Sequence, residues 1–177
     1  GFSALTEASR EGCKDVVRIL LEKGCNPNIQ DRDGRTPLFW SSFKGHEAVS
    51  KLLLEQGAVP DLSDKDDNTP LIWACFRNHL SIAKMLIDNG ADVNYQTVKG
   101  YTPLIAASAA GHREIVRMLL ERGADINYTN HKGYTPLLVA CAANQTPTVR
   151  FLILKQLSQI KVLARRFPEI GNLKSKD

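Results

Sequence analysis

A repeat of 33 residues constrains the fold of this chain more than any other feature. The tripeptide Thr-Pro-Leu recurs at this step, beginning at Thr36, Thr69, Thr102 and Thr135. Ser3-Ala4-Leu5 stands one step earlier, and glycines at 24, 57, 90 and 123 keep the same interval. A common register of this length predicts an array of five stacked units, because each repeat of this kind is one supersecondary unit.

The fourth unit shows what one repeat predicts. Thr102 suits a helix N-cap and Pro103 suits the first helical position, so we expect a short helix that ends at Gly111. Residues 114–120 carry apolar side chains at helical spacing, and Gly123 ends this second helix. Neither helix can bury its apolar stripe alone, so the units must stack into an elongated solenoid.

Charge is distributed unevenly along the chain. Residues 1–154 carry 17 Lys and Arg against 17 Asp and Glu, whereas residues 155–177 carry 6 against 2. The neutral body disfavours a nucleic-acid surface, which needs clustered basic side chains. The apolar stretches are far shorter than the roughly 18 residues of a membrane span, and no signal peptide is visible.

The cysteines and histidines indicate structural roles. Four cysteines without a Cys-x-x-Cys pair indicate small core residues in a reducing, cytoplasmic compartment: Cys13, Cys25, Cys75 and Cys141. His46, His79 and His112 share one repeat position, so they are interpreted as features of the fold and not as metal ligands. The chain lacks a phosphate-binding loop, a zinc-protease motif and a nucleophile context, so we expect no catalysis, no cofactor and no metal.

Residues 100–130, GYTPLIAASAAGHREIVRMLLERGADINYTN, resemble an ankyrin repeat nearly residue for residue. The resemblance covers residues 2 to about 155 and implies an all-α solenoid of stacked helix-turn-helix units with turn tips and an extended C-terminal helix. The implied units are about 1–30, 31–63, 64–96, 97–129 and 130–155. The resemblance further implies a non-catalytic module that binds proteins on a concave face formed by turn tips and first helices.

Several positions depart from the family pattern. The histidine that commonly follows Thr-Pro-Leu is replaced by Phe39, Ile72, Ile105 and Leu138. The next residue is Trp40 in the second repeat and Trp73 in the third. Asp67 stands where the other turns have glycine, and Val59-Pro60-Asp61 replaces the usual segment, so we expect this turn to be reshaped.

The candidate binding residues follow from the contact positions of the family. The positions before the end of the first helix carry Phe43-Lys44 and Phe76-Arg77, whereas the fourth and fifth repeats have paired alanines there. We predict that an apolar or aromatic anchor of a partner binds between the Phe43 and Phe76 repeats, with Trp40 and Trp73 behind. The alternative is that Phe43 and Phe76 only pack on each other and on neighbouring helices.

The turn tips add further candidates for partner binding: Arg32, Arg35, Lys99, Tyr101, Lys132 and Tyr134. We predict that an acidic flank of the partner meets Lys44, Arg77, Lys99 and Lys132. The predicted partner is therefore a protein or peptide segment, and no small-molecule substrate is expected.

Both ends of the array look unusual. The chain enters at Phe2 without a preceding turn, so an excerpt of a longer array or protein is expected. Gln156 replaces the closing glycine, which predicts a helix from about Thr148 to Arg166. The basic extension 156–177 is interpreted as a cap on the last repeat. The alternatives are a helix that binds a partner or a membrane surface, and a fused peptide.

The leading functional interpretation is a scaffold or adaptor that binds a partner protein on its concave face. The alternative is a regulatory ankyrin domain cut from a larger multidomain enzyme or channel. Nucleic-acid binding through the basic tail is a third and weaker interpretation.

Overall fold

The computed structural model describes residues 3–166, with side chains up to residue 162, and this part of the chain forms ten helices and no strand. The predicted all-α architecture is confirmed. The helices are α1 (Ala4–Arg10), α2 (Lys14–Glu22), α3 (Pro37–Lys44), α4 (Glu47–Glu55), α5 (Pro70–Phe76), α6 (Leu80–Asp88), α7 (Pro103–Ala110), α8 (Arg113–Glu121), α9 (Pro136–Ala142) and α10 (Thr146–Arg166).

Each repeat is a helical hairpin that stacks on the next one. The odd-numbered first helices contact one another in sequence from α1 to α9, and the second helices pack in a parallel row behind them. The second helices contribute a column of fully buried leucines: Leu53, Leu86, Leu119 and Leu152. Burial of an apolar column shared by neighbours stabilises the array as a sum of repeat and interface terms.

The Thr-Pro-Leu motif starts each first helix as predicted. In α3 the Thr36 hydroxyl accepts a hydrogen bond from the amide of Phe39 at 3.0 Å, and Pro37 occupies the first turn. Thr69, Thr102 and Thr135 cap α5, α7 and α9 in the same way. Ser3 takes this role for α1.

The repeated histidines join successive repeats. Each imidazole donates from Nε2 to the backbone carbonyl oxygen of the residue 36 positions earlier in the chain. The pairs are His46 with Arg10, His79 with Phe43, and His112 with Phe76. In the fifth repeat Gln145 replaces histidine, and its Nε2 donates to the Ala109 carbonyl at 3.3 Å. These side chains therefore have structural partners.

The close approach of the histidine explains the glycine at the end of α3. Gly45 has φ 85°, a left-handed conformation, and a Cβ atom there would lie 2.5 Å from the His79 ring. Asn78 and Asn144 adopt the same left-handed region in the third and fifth repeats, with φ 65° and 56°. Asparagine tolerates this region better than most residues because its side chain can bond locally.

The turn at Asp67 keeps the geometry of the glycine turns, so the expected reshaping is wrong at this residue. Asp67 has φ 64°, close to the 79° of Gly34 and the 72° of Gly100. Its carboxylate accepts hydrogen bonds from the hydroxyls of Ser63, at 3.2 Å, and Tyr95, at 2.6 Å. These bonds help to hold a residue that lacks the freedom of glycine in a left-handed turn.

The last helix continues beyond the repeat register. α10 runs through Gln156 to Arg166, so the boundary that we placed at 155/156 falls inside a helix. Its described part does not cover the last repeat, because Leu138 and Ile153 remain 48% and 41% exposed. The predicted capping contribution of residues 167–177 lies outside the described residues.

The cysteines do not all lie in the core. Cys75 is buried, Cys25 is half-buried, and Cys13 and Cys141 are exposed, so the prediction of four core cysteines is wrong for the last two. Cys141 occupies the position of Ser108, which is buried against the following repeat. In the described residues no such repeat follows α9 and α10, which leaves the Cys141 side chain uncovered.

Candidate functional site

The aromatic residues of the second and third repeats form one cluster. The Phe43 ring lies 6.3 Å from the buried ring of Phe39 and 6.0 Å from the ring of Trp40. The Trp73 ring lies edge-on between Phe43, at 5.1 Å, and Phe76, at 5.8 Å. The Phe39 and Phe43 rings are stacked and the other pairs meet edge to face, and both arrangements add stability beyond the buried area alone.

This cluster differs from the exposed pair of phenylalanines that the sequence predicts. Trp73 fills the space between the Phe43 and Phe76 rings, which therefore do not form the open pair that the sequence predicts. Phe43 is half-buried, and the guanidinium of Arg77 lies 4.2 Å from its ring centre. Phe76 remains 43% exposed, so the free side of the aromatic wall faces the fourth repeat.

An open groove lies on that side, between the third and fourth repeats. Its volume is about 360 Å³, and its lining is largely apolar. The first helices α5 and α7 supply Ile72, Trp73, Phe76, Ala106 and Ala109, and the turn tips supply Asp66, Asn68, Thr97, Lys99 and Tyr101. We call this cavity the groove.

The groove exists because large residues face small ones across the repeat interface. Ala106 stands one period after Trp73, and Ala109 stands one period after Phe76. Where the second repeat meets the third, aromatic side chains from both repeats fill the interface. Where the third meets the fourth, two alanines replace the aromatic pair and leave the space open.

The other predicted basic residues lie outside the groove. Arg35 pairs with the carboxylates of Asp33, at 3.4 Å, and Asp64, at 3.9 Å, and also lies over the Trp40 ring at 5.1 Å. Arg32 and Lys44 are exposed. The structure thus separates these residues, together with Arg77, from the groove lining.

Three of the four predicted residues on the last two turn tips lie at or beside the groove. Lys99 and Tyr101 line it, and both also line a neighbouring depression with Lys132. Tyr134 is 43% exposed, and its amide donates to Oδ1 of Asn130 at 3.0 Å. Of the twelve predicted residues, the groove brings together Trp73, Phe76, Lys99 and Tyr101.

The two tryptophans differ in how their indole N–H groups are satisfied. Nε1 of Trp40 donates to Oδ2 of Asp31 at 3.0 Å. Nε1 of Trp73 is buried and has no hydrogen-bond partner among the described residues. Burial alone would raise the pKa of Asp31, but the hydrogen bonds from Trp40 and from the amides of Arg35 and Asp33, with the nearby Arg35 charge, hold this pKa below its ordinary value.

Sequence reasoning missed Ile72, Ala106 and Thr97 as lining residues. A signal for the first two was present, since side chains three and four positions apart are neighbours on a helix surface. Ile72, Trp73 and Phe76 place large side chains on one face of α5. Ala106 and Ala109 place small side chains on the corresponding face of α7, so the sequence could have indicated a space between them. Thr97 gave no such signal, because it lies on a turn and not on a helix. Its hydroxyl accepts a hydrogen bond from the Tyr101 amide at 3.0 Å.

The described residues hold no constellation for metal chemistry. Within residues 3–166, no three His, Cys, Asp or Glu side chains converge closely enough to hold a metal ion. None of the helices in that range combines the length and the apolar content that crossing a bilayer would require. The groove and its flanks are the candidate site.

The fold defines a helical repeat protein, and the groove is a candidate site among its first helices and turn tips. A family model described as ankyrin repeats, in three copies, matches residues 5–97 and 94–164. These matches cover most of the chain. The chain therefore belongs to the ankyrin repeat family, as the resemblance predicted, and ankyrin repeats mediate protein–protein interaction.

Two curated proteins resemble a short part of the chain. Ankyrin repeat and SOCS box protein 3 of Bos taurus is 46% identical over 39 residues, which are 22% of this chain and 7% of that protein. Ankyrin repeat-containing protein P1E11.10 of Schizosaccharomyces pombe is 44% identical over 39 residues, 22% of this chain and 19% of that protein. The chain thus covers a small part of the length of each relative.

Proposed function

We propose that the chain is a non-catalytic binding module, a scaffold or adaptor, whose groove accepts a bulky apolar side chain of a partner protein. The observation that carries this proposal is the open apolar space of about 360 Å³ between Phe76 and Ala109. Interface energy is concentrated in apolar anchors that fill pockets of this kind. The groove is built on packed helices, so little ordering accompanies binding on its own side.

The compartment that we propose is the cytoplasm. All four cysteines are free, including the two exposed ones, which fits a reducing environment. A partner would bind in the groove non-covalently. We assign the chain no catalytic residue, cofactor or small-molecule substrate.

The groove can be tested by filling it. Ala109→Phe places in the fourth repeat the side chain that the second and third repeats carry as Phe43 and Phe76. Ala142→Phe makes the same change one repeat later, at an exposed position outside the groove lining, and is the matched control. Phe76→Ala removes the opposite wall.

Peptides would be selected from a displayed random library against the unchanged chain, and their affinities for each variant would then be measured. We expect Ala109→Phe and Phe76→Ala to weaken binding at least about tenfold, the effect of losing one buried anchor contact. We expect Ala142→Phe to bind as the unchanged chain does. Equal binding by all variants with unchanged melting curves would refute the groove as the site.

A further inference from the structure

The groove opens onto a second depression at the turn tips of the fourth and fifth repeats. This depression has a volume of about 430 Å³ and is lined by Lys99, Tyr101, Asn130, His131 and Lys132. Two of these residues, Lys99 and Tyr101, also line the groove, so the two spaces share a wall. We call the second depression the basic hollow.

The cations of the basic hollow are available to a ligand. Lys99 and Lys132 are exposed, and neither forms an ion pair with a residue that the structure describes. In contrast, Arg35 is paired with carboxylates, and Arg77 lies over the Phe43 ring. An incoming anion therefore meets less competition at Lys99 and Lys132 than at Arg35 or Arg77.

The opposite rim of the groove carries the opposite charge. Asp66, on the turn tip of the third repeat, is exposed and lines the groove. A bound segment would thus lie between a carboxylate on the third repeat and the ammonium groups of the fourth and fifth repeats. Complementary charge of this kind selects the register and direction of a partner and disfavours the reverse placement.

We propose that the groove binds a partner segment in one register, with a bulky apolar side chain in the groove and an Asp or Glu over the basic hollow. This inference rests on the proposed function and adds the chemistry of the partner. Neighbouring packed helices lie about 8–10 Å apart, and an extended chain advances about 3.3 Å per residue. The acidic residue therefore stands about two or three positions from the apolar anchor.

The probes that test the register are fluorescein-labelled twelve-residue peptides of Gly and Ser with a single Trp near the centre. One series places a Glu at each other position in turn, and a second series places Gln, which has the same size without charge. Fluorescence polarisation with the unchanged chain gives the affinity of each peptide. We expect Glu to improve binding about fivefold over Gln at two or three residues from Trp, on one side only.

Charge reversal identifies the groups responsible. Lys99→Glu/Lys132→Glu should abolish the preference for Glu and create one for Lys at the same peptide positions. Lys44→Glu/Lys65→Glu changes the net charge equally, at exposed lysines outside both lining sets, and should keep the preference. The proposed register would be wrong if Glu improved binding at every peptide position or at no position. It would also be wrong if both double variants lost the preference for Glu to the same extent.

The outcomes separate this inference from the proposed function. If the Trp peptides bind, are blocked by Ala109→Phe and show no Glu preference, the register is wrong and the proposed function stands. If Ala109→Phe does not weaken the binding of the Trp peptides, or if no peptide binds at millimolar concentration, both proposals fall.

Discussion

Nε2 of His112 lies 2.9 Å from the carbonyl oxygen of Phe76, so the imidazole N–H of the fourth repeat donates to the residue that forms one wall of the groove. His79 makes the equivalent bond to the Phe43 carbonyl at 3.3 Å. The two walls of the groove are therefore joined by a hydrogen bond between repeats as well as by helix packing. The repeated histidine positions the site although it does not line it.

This bond predicts that glutamine can replace His112 but alanine cannot. Gln145 already makes the equivalent bond in the fifth repeat. We expect His112→Ala to lower the free energy of unfolding by about 1 kcal/mol, the net contribution of one hydrogen bond, and His112→Gln to lower it by less than half as much. Urea unfolding followed by circular dichroism measures both. If both variants lost the same free energy of unfolding, the hydrogen bond to Phe76 would not be the cause of the loss.

Asp61 should limit the stability of the junction between the second and third repeats. It occupies the position of Asn28 and Asn94, whose side-chain amides donate to the carbonyls of Gly57 and Gly123. Oδ2 of Asp61 accepts from the Asp92 amide at 2.9 Å, but its buried Oδ1 has no partner among the described residues. An ionised carboxylate has no proton to donate as the asparagines do.

We therefore expect Asp61→Asn to stabilise the chain at pH 7 by about 0.5–1 kcal/mol, the range of one hydrogen bond at a half-buried site. Burial raises the pKa of Asp61, and the nearby Asp92 charge adds to this effect. A raised pKa in the folded state means that the contribution of Asp61 is complete below the unfolded pKa and is lost as pH rises through the folded value.

The advantage of Asp61→Asn should accordingly grow as pH rises from about 4, the ordinary pKa of aspartate, towards neutrality. Thermal melts at several pH values measure this difference. Asp66→Asn, an exposed position, is the control and should show no such trend. A constant difference between Asp61→Asn and the unchanged chain would contradict the account.

Trp40→Phe should destabilise the chain more than Trp73→Phe. The first change removes the hydrogen bond to Asp31, whereas the second removes an N–H that has no partner among the described residues. We expect Trp40→Phe to reduce stability at pH 7 by about 0.5–1 kcal/mol more than Trp73→Phe does. Denaturant unfolding of the two variants in parallel provides the comparison.

The stability difference at acidic pH provides a second test of the Trp40 hydrogen bond. The pKa of Asp31 is held below its ordinary value, so its contribution to stability is present above the unfolded pKa and is lost as pH falls through the folded value. The difference between the two variants should shrink over that acidic range. A difference that persists after Asp31 is protonated would point to packing of the indole ring instead.

The cysteines should fall into distinct classes of reactivity. Cys13 and Cys141 are exposed, whereas Cys75 is buried and burial raises the pKa of its thiol. We expect a maleimide to modify Cys75 at least about 100-fold more slowly than the exposed pair, because the reaction requires local opening and a thiolate. Mass spectrometry of digested samples measures each site. Similar rates for all of them in the folded chain would contradict the burial of Cys75.

Most of the fold could be predicted from the repeat period. Thr102 and Pro103 are enough to place the start of α7, because N-capping and the missing proline N–H act within one turn. Gln156 correctly indicated that the last helix continues, since no glycine ends it. The conformation of Asp67 was not predictable in this way, because hydrogen bonds from Ser63 and Tyr95 help to hold its left-handed geometry.

The candidate site was predictable only in part. The sequence alone determined which repeats carry aromatic residues and which carry Ala106 and Ala109, because these positions follow from the register. Only the tertiary structure decided that Trp73 fills the space beside Phe43 and leaves the opening beside Phe76. The physical reason is that a repeat period places residues on a helix face, whereas the orientation and contacts of large side chains decide which spaces between helices are filled.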